Sequence, residues 1–127
     1  TPADAAFSKL IRQRSGYKCQ RCGAQHNESS MGLHCSHFVG RGNWAVRFDP
    51  DNAFSLCYGC HRFVESMPLE HAEFALKMLG QGLFDILTER KNDTKLGRWY
   101  RKTGGKGDIA KFFRDQLNSN APIERFF

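Results

Sequence analysis

The chain has 127 residues, 40% of them hydrophobic, and a formal net charge of +6 with a pI near 9.3. The length suits one domain with its own core, and no run of about eighteen apolar residues exists, which excludes a membrane-spanning helix. Excess Lys and Arg favours polyanionic partners, whose phosphates they neutralise with release of counterions, and an odd count of five cysteines argues against a closed disulfide framework.

No charged-then-apolar leader opens the chain, which starts at Thr1 and not at Met, so a preceding segment is left open. Cys-x-x-Cys pairs in a chain without a leader read as metal ligands in a reducing compartment, here the cytoplasm. Residues 1–16 are expected to form an N-terminal helix: Pro2 and Asp4 suit a first turn, Phe7, Leu10 and Ile11 recur at helical spacing, and Gly16 ends it. Residues 17–66 hold two cysteine knuckles and a small strand-rich core, and residues 67–127 a helical extension of the same single domain.

Within the middle segment, Cys19-Gln-Arg-Cys22-Gly23 is a knuckle, because two intervening residues let a turn aim both sulfurs at one ion. Met31 to Val39 predicts a strand. Gly40-Arg41-Gly42 and Asp49-Pro50-Asp51 are turn chemistry, and Ala53 to Leu56 predicts a second strand that enters the knuckle Cys57-Tyr-Gly-Cys60. A helix follows over His61 to Ser66 and breaks at Met67-Pro68. Leu69, Ala72, Leu76 and Leu79 then mark the apolar face of another helix that stops at Gly80, and Leu83, Ile86 and Leu87 mark a further one. Lys95 to Lys106 reads as a flexible basic loop, and Asp108 caps a last helix that buries Ile109, Phe112, Phe113 and Leu117.

The two knuckles lie 34 residues apart, more than a simple zinc ribbon needs, so the gap holds a functional insertion. Four thiolates, Cys19, Cys22, Cys57 and Cys60, close a tetrahedral structural zinc site with no position left for substrate. Inside the insertion and just after it stand His37, Asn52, His61 and Glu65. On a helix opened by His61, the i, i+4 relation puts the imidazole and the Glu65 carboxylate on one face, opposite a histidine on the preceding strand. Such a pocket suits a divalent cation and a phosphodiester.

These residues resemble the HNH nucleases, the ββα-metal or His-Me finger group. Phe7-Ser8-Lys9-Leu10-Ile11-Arg12, Cys35-Ser36-His37-Phe38, Arg47-Phe48-Asp49, Pro68-Leu69-Glu70-His71 and Leu79-Gly80 are similar to its phage branch of NinG-type recombination endonucleases. The resemblance implies an α+β fold, a zinc-stapled ββα-metal core with flanking helices, and metal-dependent hydrolysis of DNA. His37 is then the general base, Asn52 either holds the inter-strand loop or contacts the metal, and His61 with Glu65 ligates a catalytic Mg²⁺, Mn²⁺ or second Zn²⁺. Expected products carry 5′-phosphate and 3′-hydroxyl ends.

Many HNH enzymes carry His or Asp just before the base, where this chain has Ser36. Either Ser36 or a water fills that place, or His34 reaches in from the same strand face, or metal affinity is low. Cys35 points the other way and is expected to be packed. Arg41, Arg47, Arg98, Arg101 and Lys102, with Lys95 and Lys106, are candidates for gripping DNA phosphates. Trp99 and Tyr100 either stack on unpaired bases or tuck into the core. Arg12, Arg14 and Arg21 read as surface charges. The branch implies branched or recombination-intermediate DNA as substrate, recombination proteins as partners, and a homodimer where two strands must be cut. The alternatives are a catalytically inactive zinc-stapled DNA-binding module, for which Ser36 speaks, and an interaction protein using Phe126-Phe127.

Overall fold

The computed structural model describes residues 1–103 and 107–127. Helix α1 (Pro2–Arg14) starts at a reciprocal cap: Thr1 Oγ1 accepts from the Asp4 amide at 3.0 Å while donating to the Asp4 carboxylate at 2.8 Å. Amides that a first turn leaves without partners are thereby satisfied. Ala3, Ala6, Phe7, Leu10 and Ile11 form its buried stripe. The chain then turns through Gly16 at φ +68°, a left-handed conformation that costs glycine little.

Strands β1 (Leu33–His37) and β2 (Ala53–Cys57) pair antiparallel, with Cys35 opposite Ser55, Ser36 opposite Phe54 and His37 opposite Ala53. Because side chains alternate, this register sorts the hairpin into two faces. Ala53 joins α1, Phe48 and Phe113 in one core, and Phe54 and Leu56 join Val64, Ala75, Cys19 and Cys60 in another. The hairpin is the wall between them. β1 is shorter than its apolar run predicts: Met31 is exposed, and beyond His37 the Phe38 and Val39 amides leave the ladder to bond Asn52.

Helix α2 (Tyr58–Ser66) begins ahead of His61, with Cys57 as its N-cap: the Cys57 sulfur accepts from the Cys60 amide at 3.4 Å. Helices α3 (Pro68–Leu79), α4 (Gln81–Lys91), α5 (Thr94–Thr103) and α6 (Gly107–Gln116) follow, α6 packing along α1. No helix among the described residues is long and apolar enough to cross a membrane.

Two expectations are corrected here. The stretch from Lys95 to Thr103 is helix, not loop: Asp93 caps it through the Leu96 amide at 2.9 Å, and Leu96 and Tyr100 are buried one turn apart. Gly104, Gly105 and Lys106 lie outside the described residues. The apolar face assigned to α3 and α4 is also displaced. His71 and Ala75 are the buried positions of α3 and Leu87 that of α4, while Leu69, Leu83 and Ile86 are exposed.

The C-terminal tail folds back onto its own chain. Phe126 packs on Trp99 and Phe112, and Arg125 joins Arg90 on the buried Asp49 carboxylate at 3.1 and 3.0 Å.

Candidate metal centre and catalytic cavity

Both knuckles are built by local hydrogen bonds. The Cys22 amide donates to Cys19 Sγ at 3.4 Å, mirroring Cys60 on Cys57, and Gly23 at φ +81° turns the chain so that the Cys19 amide reaches Ala24 O at 2.9 Å. The four sulfurs lie within 4.8 Å of one another, and Cys22 and Cys57 are 3.8 Å apart. A tetrahedral site with bonds of about 2.3 Å needs sulfurs about 3.8 Å apart, so the cluster fits a zinc ion. It is the one group of this kind among the described residues.

The thiols do not ionise alike. Burial raises Cys60, as do its neighbouring sulfurs, to about 12; burial also opposes ionisation of Cys19, but the amides of Cys22, Cys57 and Arg21 outweigh it and bring that thiol to about 6. Four thiolates can share this volume only when a cation neutralises them. Arg21 contributes: it donates to Cys60 Sγ at 3.3 Å and lies 4.2 Å over the Phe63 ring. It is exposed, as expected of a surface charge, and is at the same time part of the cluster's surroundings.

Beside the free edge of β1 a cavity of about 290 Å³ opens between α1 and α2, lined by Asp4, Ser8, Cys35, His37, Arg41, His61 and Glu65 among others. His37 Nε2 sits 2.9 Å from the Arg47 carbonyl oxygen. A carbonyl only accepts, so Nε2 carries the proton and Nδ1 keeps its lone pair. Burial holds the His37 pKa below its ordinary value, keeping the ring neutral.

Asn52 is fully buried, and its amide is consumed by the loop between the strands. Nδ2 donates to Val39 O at 2.9 Å and to Val46 O at 3.1 Å, while Oδ1 accepts from the Val39 amide at 2.8 Å. Of the two roles open to it in sequence, this geometry is that of a loop clasp.

His61 has partners on both nitrogens: Nε2 is 2.8 Å from Glu65 Oε1, and Nδ1 is 3.0 Å from His34 Nδ1. An ionised carboxylate only accepts, so Nε2–H of His61 donates to Glu65. Of the alternatives for the place before the base, His34 is the one brought to His61. Ser36 is not at the cavity: it is fully buried across from Phe54 and its Oγ has no partner among the described residues.

The arginines divide into tied and free. Arg47 is clamped by Asp4 through Nε and Nη2 at 2.9 and 2.7 Å, donates to Arg41 O at 3.0 Å and lies 4.1 Å over Trp44, so the guanidinium offered to a phosphate by sequence is occupied. Arg14 ties α1 to Gln116 and Ala121 carbonyls and Arg12 bonds Ser8 O; neither is a loose surface charge. Arg41 lines the cavity, and Arg98, Arg101 and Lys102 are exposed on α5. Tyr100 is buried, its pKa pushed up to about 12 by that burial, and so lies in the core, whereas Trp99 stays partly exposed while packing on Phe126 and Phe127.

Sequence reasoning missed three residues of this region. Asp4 and Ser8 line the cavity from α1, which nothing local announces. Cys35 shares the cavity with His37, a neighbour that the period of two does imply; burial pushes its thiol up to about 12.

No family model, curated protein or solved structure matches this chain. What stands is an α+β domain with flanking helices around a β-hairpin and helix core, and a four-cysteine cluster able to chelate a divalent metal ion.

Proposed function

We propose that this domain is a metal-dependent DNA endonuclease of the HNH kind, stapled by a structural zinc on Cys19, Cys22, Cys57 and Cys60. The observation that carries the reading is His37: a half-buried imidazole whose pKa burial lowers, with Nε2 donating to the Arg47 carbonyl, lining a cavity shared with His61 and Glu65. In that form it accepts a proton from an attacking water through Nδ1. Asn52 keeps the loop that carries the Arg47 carbonyl in register beneath it. Arg41, at the mouth, offers charge to a phosphodiester.

The imidazole of His61 and the carboxylate of Glu65 are a donor pair suited to Mg²⁺, Mn²⁺ or Zn²⁺, with His34 adjoining. Such a cation, when bound, polarises the scissile phosphate and stabilises the departing 3′ oxygen. Ends with 5′-phosphate and 3′-hydroxyl follow. The resemblance in the cysteine, histidine and Arg47-Phe48-Asp49 motifs extends the reading to branched or recombination-intermediate DNA, with a homodimer and recombination proteins as the partners it implies.

Supercoiled plasmid and a synthetic four-way junction, incubated with and without Mg²⁺ or Mn²⁺, test this directly. Cleavage that needs the metal and falls by a factor on the order of 10²–10⁴ in His37→Ala, with zinc content unchanged, is the expected result. A second reading, a DNA-binding module without catalysis, is favoured by the burial of Ser36 away from the cavity. Equal binding by both proteins, with no cutting under any metal, decides for it.

A further inference from the structure

A groove on the other side of the Gly40–Asn43 turn has no part in the chemistry above. Gly42, Asn43, Trp44 and Ala45 form one wall, and Lys91, Asp93, Thr94, Gly97, Arg98 and Arg101 the other. Thr94, Gly97, Arg98 and Arg101 recur at i, i+3, i+4 and i+7, a single face of α5. The two walls are joined: Asn43 Nδ2 donates to Lys91 O at 2.8 Å, and Gly97 lies so near the loop that a Cβ there would stand 3.6 Å from the Ala45 amide nitrogen.

We propose that this groove is a second phosphate-binding site that seats the backbone of duplex DNA flanking the bond held at His37. Lys91, Arg98 and Arg101 are cations without an ion pair among the described residues, unlike Arg47, Arg90 and Arg125, which are tied to Asp4, Asp49 and Asp51. The carboxylate in the groove, Asp93, is engaged in capping α5. Three cations against this one carboxylate leave the groove net positive.

Continuity of the chain sets the distance to the cavity. Gly40 and Arg41 line the cavity, Gly42 and Asn43 line the groove, and the Asn43 amide donates to Gly40 O at 2.9 Å across one tight turn. The ends of such a turn lie within about 7 Å, so the cavity and the groove adjoin across it. Arg41 therefore stands between the two positions.

The aromatics decide between duplex and single strand. A single-strand groove stacks bases on exposed rings. Trp44 lines this groove but lies beneath the Arg47 guanidinium and edge-on to Phe48, Tyr100 is buried, and the partly exposed Trp99 is outside the groove's walls, against Phe126 and Phe127. Cations without a free ring fit phosphates of paired strands.

The inference rests on the DNA-binding half of the nuclease reading, and its test uses binding alone so that the two fail separately. The full-length His37→Ala protein is titrated onto a short fluorescent DNA duplex over a range of salt. R98A/R101A is added to it, and compared with K77A/R114A, an equal loss of charge elsewhere on the surface. The groove variant is expected to weaken binding tenfold or more at moderate salt and to flatten the slope of log K against log salt by about 0.9 for each lost contact. R98K/R101K restores the slope, and duplex outcompetes single strand.

Affinity in the groove variant within twofold of the control variant, with zinc content and melting temperature intact, overturns the site. Equal competition by single-stranded DNA overturns the duplex assignment. Plasmid cleavage by the unsubstituted chain bears on the nuclease and not on this groove.

Discussion

The carbonyl oxygen of Arg47 holds Nε2 of His37 at 2.9 Å, and the guanidinium of that same arginine is gripped by both oxygens of Asp4. The first turn of α1 thereby reaches the imidazole through a backbone atom. Asp4→Asn keeps the shape but gives up the ion pair, and the Arg47 carbonyl loses its anchor. Imidazole ¹⁵N shifts of His37 in the variant are expected to report a mixture of tautomers where the parent shows the Nε2–H form alone. An unchanged spectrum counts against this coupling.

Asp4 also sets an acid limit on stability. Burial opposes its charge, but hydrogen bonds from Arg47 and Thr1 outweigh that and keep its carboxyl well below the usual carboxylate range. A depressed native pKa contributes stability above the unfolded value of about 3.9, and that contribution is lost as pH falls below it. Melting temperatures from neutral pH down to acid should therefore fall more steeply for the parent than for Asp4→Asn below about pH 4.

Cleavage should need His37 unprotonated, and burial lowers its pKa. Rate is expected to rise with pH to a midpoint below 6.5 and to be level at neutrality. A midpoint at or above that value would show an imidazole open to water.

Asn52→Ala removes the clasp on the inter-strand loop and takes their Asn52 partner from the Val39 amide and carbonyl, while the Val46 carbonyl keeps the Asp49 amide at 3.2 Å. Each such loss costs about 1–3 kcal/mol, so destabilisation of about 2 kcal/mol or more is expected in urea unfolding. Asn52→Asp should be no better, because a carboxylate faces two carbonyl oxygens.

One zinc per chain should be measured by atomic spectroscopy, lost in Cys22→Ser, and chelation should unfold the domain. Arg21→Ala should keep the metal but release it faster to a chelator, because the sulfur of Cys60 loses its one guanidinium donor.

Local patterns were readable from the sequence and distant partnerships were not. The cysteine pairs, the turn residues and the Met67-Pro68 break act over a few positions, and the hairpin, the knuckles and the α2 boundary follow from them. Helix α5 was hidden because its basic surface resembles a loop and its two buried residues, Leu96 and Tyr100, fall among Gly, Arg and Lys. Arg47 looked available for phosphate because Asp4, 43 residues earlier, gives no sign of reaching it. Which of Ser36 and His34 comes next to His61 depends on strand register and on where α2 lies, and neither is a property of the motif.

The pairing of α1 with α6 also orders events during synthesis. Helix α1 is made well before α6, yet its apolar stripe is covered by Phe113 and Ile109 of that later segment. The core on the cysteine-cluster side draws on residues no later than Phe84 and can close while the remainder is still emerging from the ribosome. The N-terminal helix must wait with Phe7 and Leu10 in water, which makes that interval the one in which a nascent chain is most exposed to aggregation.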